Sequence, residues 1–152
     1  MQKTSFAFQL LAHAASPRWA DVKTYAESCS WRAGKQLAQE MDQGAFTDWE
    51  RVIIALSGER IAGFCTVAKT DCIPDLPYTP YIGYVFVDEA FRGQRLSAQM
   101  IDLAAAYLKT CSFDRVHLVS DHVNLYEKYG FTAIDRKRAP WGSEETIYMR
   151  KL

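Results

Sequence analysis

The stretch from Tyr81 to Ile101 constrains the fold more tightly than any other part of the sequence. Residues 81–87, YIGYVFV, are apolar at nearly every position, a pattern typical of a strand that is buried on both faces. From Leu96 onward, apolar residues recur at three- and four-residue steps as far as Cys111, which predicts an amphipathic helix. A buried strand that passes through a short glycine turn into a long helix indicates a layered fold, with this strand near the middle of the sheet.

The rest of the chain predicts a mixed α/β order: strand, two helices, three strands, helix, strand, helix and two strands. Prolines at positions 74, 77 and 80 exclude a regular helix or an inner strand from residues 71–80, which we expect to form a connecting loop. The remaining predicted elements are a strand at 5–11, a helix capped by Ser16 with Pro17 at its first position, a helix around Leu37 and Met41 that ends near Gly44, a hairpin of 51–56 and 61–68, a strand at 114–120, a short helix at 123–129, and strands at 131–137 and 145–152.

Length and composition fit a single domain over residues 1–152. The chain is 49% hydrophobic, and its 18 basic and 18 acidic residues cancel, so we expect one core and no global field that favours nucleic acid or an anionic membrane. No segment approaches the roughly 18 to 20 consecutive apolar residues of a membrane span, and the N-terminal stretch lacks a convincing signal-peptide cleavage pattern. We therefore expect a cytoplasmic protein that binds neither nucleic acid nor membrane.

Cysteine and histidine spacings predict neither a metal centre nor a redox site. The four cysteines are scattered without a CxxC pair, and the three histidines lack metal-ligand spacing with one another. Cys65 and Cys111 lie inside apolar stretches, where a reduced cysteine behaves as a small hydrophobic residue. We expect structural thiols and no bound metal.

The turn RGQR, from Arg92 to Arg95, has the chemistry of an anion site. The first N–H groups of a helix lack carbonyl partners, and the helix dipole adds partial positive charge there. Gly93 permits a close approach or a positive φ, while Arg92 and Arg95 can donate charge-assisted hydrogen bonds to phosphate oxygens. A solvated turn whose arginines pair with Asp88 and Glu89 explains the same residues, so both interpretations stay open on spacing alone.

Two motifs together resemble the GNAT superfamily of N-acetyltransferases. The sequence RGQRLS, residues 92–97, is similar to the superfamily's coenzyme A loop, [RQ]xxGx[GA], with Arg95 in place of the usual glycine and Ser97 in place of glycine or alanine. Further along the chain, NLYEKYGF at 124–131 resembles the YxxxGF signature and places Tyr126 on a short helix. A side chain at position 95 is compatible with phosphate binding through backbone N–H groups, provided that φ stays helical there.

The resemblance implies an α/β fold of the GNAT type, in which a central mixed sheet of six to seven strands is flanked by about four helices. It also implies acetyl-CoA as the co-substrate, entering between two neighbouring parallel strands that splay apart. The residues that it assigns to cofactor binding are Phe86, Val87, Arg92, Gly93, Gln94, Arg95, Leu96, Ser97 and Asn124, and the residue that it assigns to catalysis is Tyr126.

The reaction that the resemblance implies is direct transfer of an acetyl group to a primary amine of a small molecule, within a ternary complex. The peptide N–H near Val87 would polarise the thioester carbonyl, and Tyr126 would protonate or hydrogen-bond the departing thiolate. The central strand carries no carboxylate before Asp88. We therefore expect a water relay or an amine that arrives neutral rather than a dedicated base, with Asp88 and Glu89 solvated or paired with arginine.

The acceptor site is implied near Trp31, Arg32 and Trp141, which lie in the early helices and in the loop before the last strand. Aromatic side chains exposed there would suit stacking on a substrate, and core packing explains them equally well. The basic run at 136–138 stays unassigned between a cofactor phosphate, an acidic acceptor and an exposed strand end. A catalytically silent CoA-binding module and a partner-binding domain on the same fold are the alternative functions. A homodimer also stays open, because the last strand fits either a dimer interface or the interior of one sheet.

Overall fold

A seven-stranded mixed sheet forms the centre of the molecule in the computed structural model, which describes residues 5–152. The strands are β1 (Ala7–Leu11), β2 (Arg51–Ser57), β3 (Arg60–Ala68), β4 (Tyr81–Val87), β5 (Arg115–Ser120), β6 (Thr132–Arg138) and β7 (Glu144–Lys151). They follow the order β1-β2-β3-β4-β5-β7-β6, and every neighbouring pair is antiparallel except β4 and β5. The predicted mixed sheet of six to seven strands is confirmed. Residues 1–4, where the stretch searched for a signal peptide begins, lie outside the described range.

Within residues 5–152, three α-helices accompany the sheet: α1 (Trp19–Ser28), α2 (Ala33–Asp42) and α3 (Leu96–Thr110). Two 3₁₀ segments, Glu89–Phe91 and Tyr126–Tyr129, follow β4 and β5. The short helix predicted at 123–129 is therefore a single 3₁₀ turn. The prediction of about four flanking helices holds only if this turn is counted together with the three α-helices.

The start of α1 differs from the prediction. Arg18, in the left-handed conformation with φ 73°, precedes the first helical residue, Trp19. Ser16 does not cap the helix, because its Oγ accepts hydrogen bonds from the N–H groups of Ala12 and His13, both at 3.2 Å. A serine side chain can satisfy nearby backbone groups in a turn as readily as at a helix start. Ser16 therefore closes the turn after β1 and not the first turn of α1.

The strand β2 shows why the chain folds into three layers. Its central residues are buried on both faces, as expected for an inner strand. Val52 and Ile54 pack in one core with residues of α1 and α2, whereas Ile53 and Ala55 pack in a second core with residues of α3. Because side chains alternate across a strand, one apolar segment supplies both cores. The helices α1 and α2 cover one face of the sheet and α3 covers the other.

The positions of β4 and β7 decide two expectations. β4 is the fourth of the seven strands, which confirms its predicted place in the middle of the sheet. β7 is internal, paired with β5 along one edge and with β6 along the other. Since both of its edges are occupied, β7 has none left for a second copy of the chain.

All four cysteines are free. Within residues 5–152, no helix is long and apolar enough to cross a membrane. The same residues contain no group of three or more His, Cys, Asp or Glu side chains arranged to hold a metal ion.

Candidate active site

The central feature of the site is the opening between β4 and β5. These parallel strands pair at Tyr81 and His117 only, and beyond that pair a cavity of about 840 Å³ lies between them. Such a volume is within the range of roughly 300 to 1,000 Å³ that ligand pockets occupy. Residues 82–87 of β4 form one wall, and residues 118–122 at the end of β5 form the other.

A β-bulge in β4 lies at the cavity wall. The register with β3 shifts between the pairs Thr66–Gly83 and Phe64–Phe86, and Tyr84 has a φ of 50°. A bulge bends its strand and redirects its side chains and N–H groups. Both Phe86 and Val87, the strand residues assigned to the cofactor, line the cavity just after the bulge.

The turn between β4 and α3 has the backbone conformation of a glycine-rich loop, although it contains one glycine. Gly93 has φ 81°, and Arg95 has φ 59° immediately before the first residue of α3. The condition stated for a side chain at position 95, a helical φ, is therefore not met. This position keeps the left-handed conformation that its usual glycine adopts without strain, and Arg95 tolerates it at a cost of about 1–2 kcal/mol.

The first turn of α3 presents backbone N–H groups rather than side chains. Leu96 is buried in the core, and Ser97 Oγ lies 3.1 Å from the hydroxyl of Tyr129. No side chain caps the helix at Arg95. The amides that begin a helix have no carbonyl one turn earlier to bind, so this end of α3 can bind an anion. Gly93, Gln94 and Arg95 do not line the cavity between β4 and β5; they line a second groove of about 670 Å³.

Arg92 is held between the strand and the loop. Its Nε donates to the carbonyl of Val87 at 3.0 Å, and its guanidinium lies 5.7 Å from the centre of the Phe86 ring. A long contact of 3.7 Å joins it to Glu89. The ion pair with Glu89 is thus present, as the alternative interpretation expected. It does not bury Arg92, whose exposed side chain also lines the cavity.

The neighbouring acids have partners on the α1–α2 side. Asp88 Oδ2 accepts a hydrogen bond from the hydroxyl of Tyr25 at 2.5 Å, and this bond lowers the pKa of Asp88. Glu89 accepts a hydrogen bond from Ser30, which lowers the pKa of Glu89 in the same way. Both carboxylates therefore remain ionised at neutral pH.

Tyr126 lies inside the cavity wall, only 7% exposed. Phe131 and Tyr148 pack against its ring, with centroids at 6.2 and 5.9 Å. Burial raises the pKa of Tyr126 to about 12, so the phenol stays protonated at neutral pH and acts as a hydrogen-bond donor. No hydrogen bond joins its hydroxyl to another residue in the described part of the chain.

Some residues singled out in the sequence do not reach the cavity. Asn124 is exposed and has a φ of 63°. It does not cap the 3₁₀ segment, and it is not among the described residues that line the cavity. The basic run at 136–138 is exposed on β6, where Arg136 pairs with Glu144 at 3.1 Å. Arg32 is exposed just before α2. The structure does not bring these residues together with Tyr126.

Aromatic residues from distant segments also line the cavity. Trp31 stacks on Phe86, with ring centroids 5.8 Å apart and an interplanar angle of 2°. Trp141 also lines the cavity and is 59% exposed. Of the two alternatives for these tryptophans, Trp31 combines both, because it packs against the core and faces the cavity. Trp141 has a free aromatic face.

Sequence reasoning missed three carboxylates in the cavity wall, Asp71, Asp121 and Glu145. Glu145 is 7% exposed, and its Oε2 has no hydrogen-bond partner within residues 5–152. Burial raises the pKa of Glu145. Asp71 comes from the proline-containing loop and rests against β4 at Gly83. A glycine inside a buried strand marks a place where another group approaches closely, and Gly83 was the available signal.

Comparison with known proteins identifies relatives of this arrangement. The model of the Acetyltransferase (GNAT) family matches residues 10–131. A search of curated proteins found no match. Among solved structures, a GNAT family acetyltransferase from Elizabethkingia anophelis with acetyl-CoA bound is 16% identical, with a TM-score of 0.69 over 99% of this chain and 100% of the other.

Two further structures share the same architecture. ElaA from Escherichia coli is 22% identical, with a TM-score of 0.67 over 96% of this chain and 99% of that protein. Aminoglycoside 6′-acetyltransferase type Ii is 12% identical, with a TM-score of 0.72 over 95% and 96% of the two chains. At these identities the likeness establishes the fold.

Proposed function

Because the chain belongs to the GNAT acetyltransferase family, we propose that it transfers the acetyl group of acetyl-CoA to a primary amine of a small molecule, by direct attack in a ternary complex. One observation carries the proposal: the cavity between β4 and β5 contains both a protonated, buried phenol and Arg92, which begins the turn that leads into α3. A bound acetyl-CoA would supply the thioester, and the protein would position it against the amine.

Different residues of this chain would bind the diphosphate of the cofactor and act on its thioester. The amides of Gly93 to Ser97 would bind the diphosphate, with Arg92 adding a charged contact. The peptide N–H near Val87 would donate to the thioester oxygen as negative charge develops there. Tyr126 would donate to the leaving sulfur. Its raised pKa favours hydrogen bonding to the thiolate over complete proton loss. Asn124 remains a predicted contact of the pantetheine arm, and its exposed position would require the loop after β5 to move.

The cavity's charge supports an acceptor that is cationic before it reacts. Four acidic residues line the cavity, against one arginine, Arg92; the acids are Asp71, Glu89, Asp121 and Glu145. The faces of Trp31, Tyr84 and Trp141 in the same lining can attract a cation. An ammonium group would thus be drawn into the cavity, whereas an anionic acceptor would be repelled. The four free cysteines are consistent with the reducing cytoplasm, where we place the protein.

Acetyl-CoA binding tests the first half of the proposal. The ligand should raise the unfolding temperature in a concentration-dependent way, because it binds the native state only. Dephospho- and desulfo-analogues of CoA would report which end of the cofactor contributes. No shift at saturating acetyl-CoA would leave only a partner-binding domain on this fold.

Tyr126→Phe separates an enzyme from a silent CoA-binding module. An amine panel, read out as thiol release, should identify an acceptor for the wild-type protein. On that acceptor, Tyr126→Phe should lower turnover by roughly 10²-fold, as for loss of a positioned proton donor, with acetyl-CoA affinity unchanged. Tyr107→Phe is the matched control, since the Tyr107 hydroxyl donates to the carbonyl of Trp49 away from the cavity. Equal turnover in wild type and Tyr126→Phe would remove the phenol from the chemistry.

A further inference from the structure

A carboxylate occupies the space above the central strand where the strand itself has no side chain. A methyl group added at Gly83 would lie 3.3 Å from both carboxylate oxygens of Asp71 and 3.2 Å from Thr66 Oγ1. Gly83 lies in β4 directly before the bulge at Tyr84. The loop after β3 therefore delivers an acid to the strand that carries none before Asp88.

The Asp71 carboxylate has one oxygen held and one free to accept a proton. Oδ1 accepts a hydrogen bond from the N–H of Cys72 at 2.8 Å. Within residues 5–152 no other hydrogen bond reaches this carboxylate, so Oδ2 can accept from a ligand. Asp71 lines the same cavity as Val87 and Tyr126. It therefore faces the space where thioester and acceptor would meet.

The surroundings of Asp71 disfavour its charged form. Burial raises the pKa of Asp71 to about 7; the hydrogen bond from Cys72 lowers it, and the charge of Glu40 raises it further. The titratable groups facing Asp71 are Glu40 of α2, Tyr81 and Tyr84 of β4, and the adjacent Cys72 thiol. Each is neutral or negative, so none of them stabilises the anion by opposite charge. A carboxylate that titrates near neutral pH is suited to general-base catalysis.

The other acids near the end of β4 are poorer bases. Both oxygens of Asp88 are occupied, Oδ2 by the Tyr25 hydroxyl and Oδ1 by the N–H of Ala90. Glu89 binds Ser30 and approaches Arg92. Hydrogen bonds lower the pKa of both residues, which weakens them as proton acceptors.

We propose that Asp71 is the general base of the acetyl transfer, an inference that rests on the proposed function. Asp71 Oδ2 takes one proton from the acceptor's ammonium group, leaving a neutral amine. The amine nitrogen then forms a bond to the acetyl carbonyl carbon as the carbon–sulfur bond breaks. The sulfur leaves with the electron pair, accepts a hydrogen bond from Tyr126 and takes up the second nitrogen proton. Asp71 releases its proton to solvent, so one amide, one free thiol and one proton are formed.

The expected sign of the pH dependence follows from the deprotonated form being the base. Activity should be lost as pH falls through about 7, the raised pKa of Asp71. An amine that arrived neutral without a base would instead give a limb near its own pKa, roughly 10 for an alkylamine of the lysine type. The position of the acidic limb of kcat/KM therefore distinguishes Asp71 from the water relay and neutral amine expected from the sequence.

The test compares Asp71→Asn with wild type and with Asp75→Asn over pH 5.5–9. Asp75 provides the same chemical change in the same loop, but it is exposed and lies outside the cavity lining. Asp71→Asn should lose roughly 10²- to 10⁴-fold in kcat and should lack the limb near pH 7. Asp75→Asn should retain both. The proposal would be overturned if Asp71→Asn were as active as an active wild type. It would also be overturned if Glu145→Gln, and not Asp71→Asn, removed the acidic limb near pH 7.

Two readouts do not require an acceptor. In carbon NMR of the side-chain carboxyls, the Asp71 signal is the one that is missing from the spectrum of Asp71→Asn. In the wild type this signal should titrate near pH 7, and a midpoint near 4 would overturn the proposal. The folded-state pKa exceeds the unfolded value of 3.8, so wild type loses stability as pH rises between these values. As pH rises from 5 to 8, the unfolding temperature of Asp71→Asn should therefore increase relative to that of wild type. An Asp71 that stabilised the fold by its charge would give the opposite trend.

Failure of the proposed function would look different. It would appear in the wild-type protein, as the lack of any thermal shift with acetyl-CoA or of thiol release with every amine. Failure of the Asp71 role alone would leave both wild-type signals intact and would show only in the comparison of variants.

Discussion

The two ends of the cavity between β4 and β5 are built in different ways. The end that we propose for the cofactor is lined by one contiguous segment, residues 86–92, in which β4 passes into the turn before α3. The end that we propose for the acceptor collects Asp71, Trp141 and Glu145 from separate parts of the chain. The first kind of site can be recognised from the spacing of neighbouring residues in the sequence. The second is assembled only when the sheet has formed. Mutations should therefore affect the two ends separately.

Gly83→Ala should give the largest separation, by impairing the acceptor end alone. The new methyl group would crowd Asp71 and Thr66 at 3.2–3.3 Å, and the loop carboxylate is the group that can move. Because a displacement of about 1 Å in a reacting group can cost 10²-fold, turnover should fall roughly 10- to 100-fold. The acetyl-CoA thermal shift should stay unchanged.

The control for this substitution is Gly58→Ala. Gly58 has φ 59° in the β2–β3 turn, and a methyl group there would contact nothing. Alanine at this position should cost about 1 kcal/mol of stability through backbone strain and leave turnover unaltered. Normal turnover in Gly83→Ala would show that the acceptor end tolerates a displaced Asp71.

Arg92→Ala should give a moderate effect confined to the cofactor end. Arg92 lines the cavity beside Val87 with an exposed guanidinium, so a phosphate contact there would be worth about 1 kcal/mol, or roughly 5-fold in affinity. Titrations with acetyl-CoA should show the greater loss at low salt, because ions screen exposed charges. Arg136→Ala, which removes a surface ion pair on β6, should leave the affinity unaltered. A loss that did not depend on salt would assign Arg92 to loop structure instead.

Arg95→Gly should have the smallest effect and tests whether the loop acts through its backbone. Glycine relieves the left-handed strain at φ 59° but adds entropy to the unfolded chain, so the free energy of unfolding should change by less than about 1 kcal/mol. Acetyl-CoA affinity, measured by calorimetry, should remain within roughly 2-fold if backbone amides dominate. A tenfold loss would make the Arg95 side chain a phosphate ligand.

Local signals explain what the sequence predicts correctly. The apolar run of β4 and the helical spacing of α3 depend on residues close in the chain, and so does the turn that joins them. The place of Asp71 depends on how the loop at 71–80 folds over β4, which leaves no periodic pattern in the sequence. The left-handed Arg95 also escaped prediction, because arginine seldom adopts that conformation. Ser16 misled for a related reason, since its side chain serves a turn as well as a helix cap.

The hydrogen bond between Ser97 and Tyr129 fixes the distance between two parts of the site. It joins the first turn of α3 to the segment that carries Tyr126. The separation between the first amides of α3 and the phenol is thereby set by the fold. A carrier with a shorter arm could anchor its phosphates but would hold its acyl group short of the phenol. If the amides at the start of α3 anchor the donor as we propose, the protein would select its acyl donor by the length of the donor's arm.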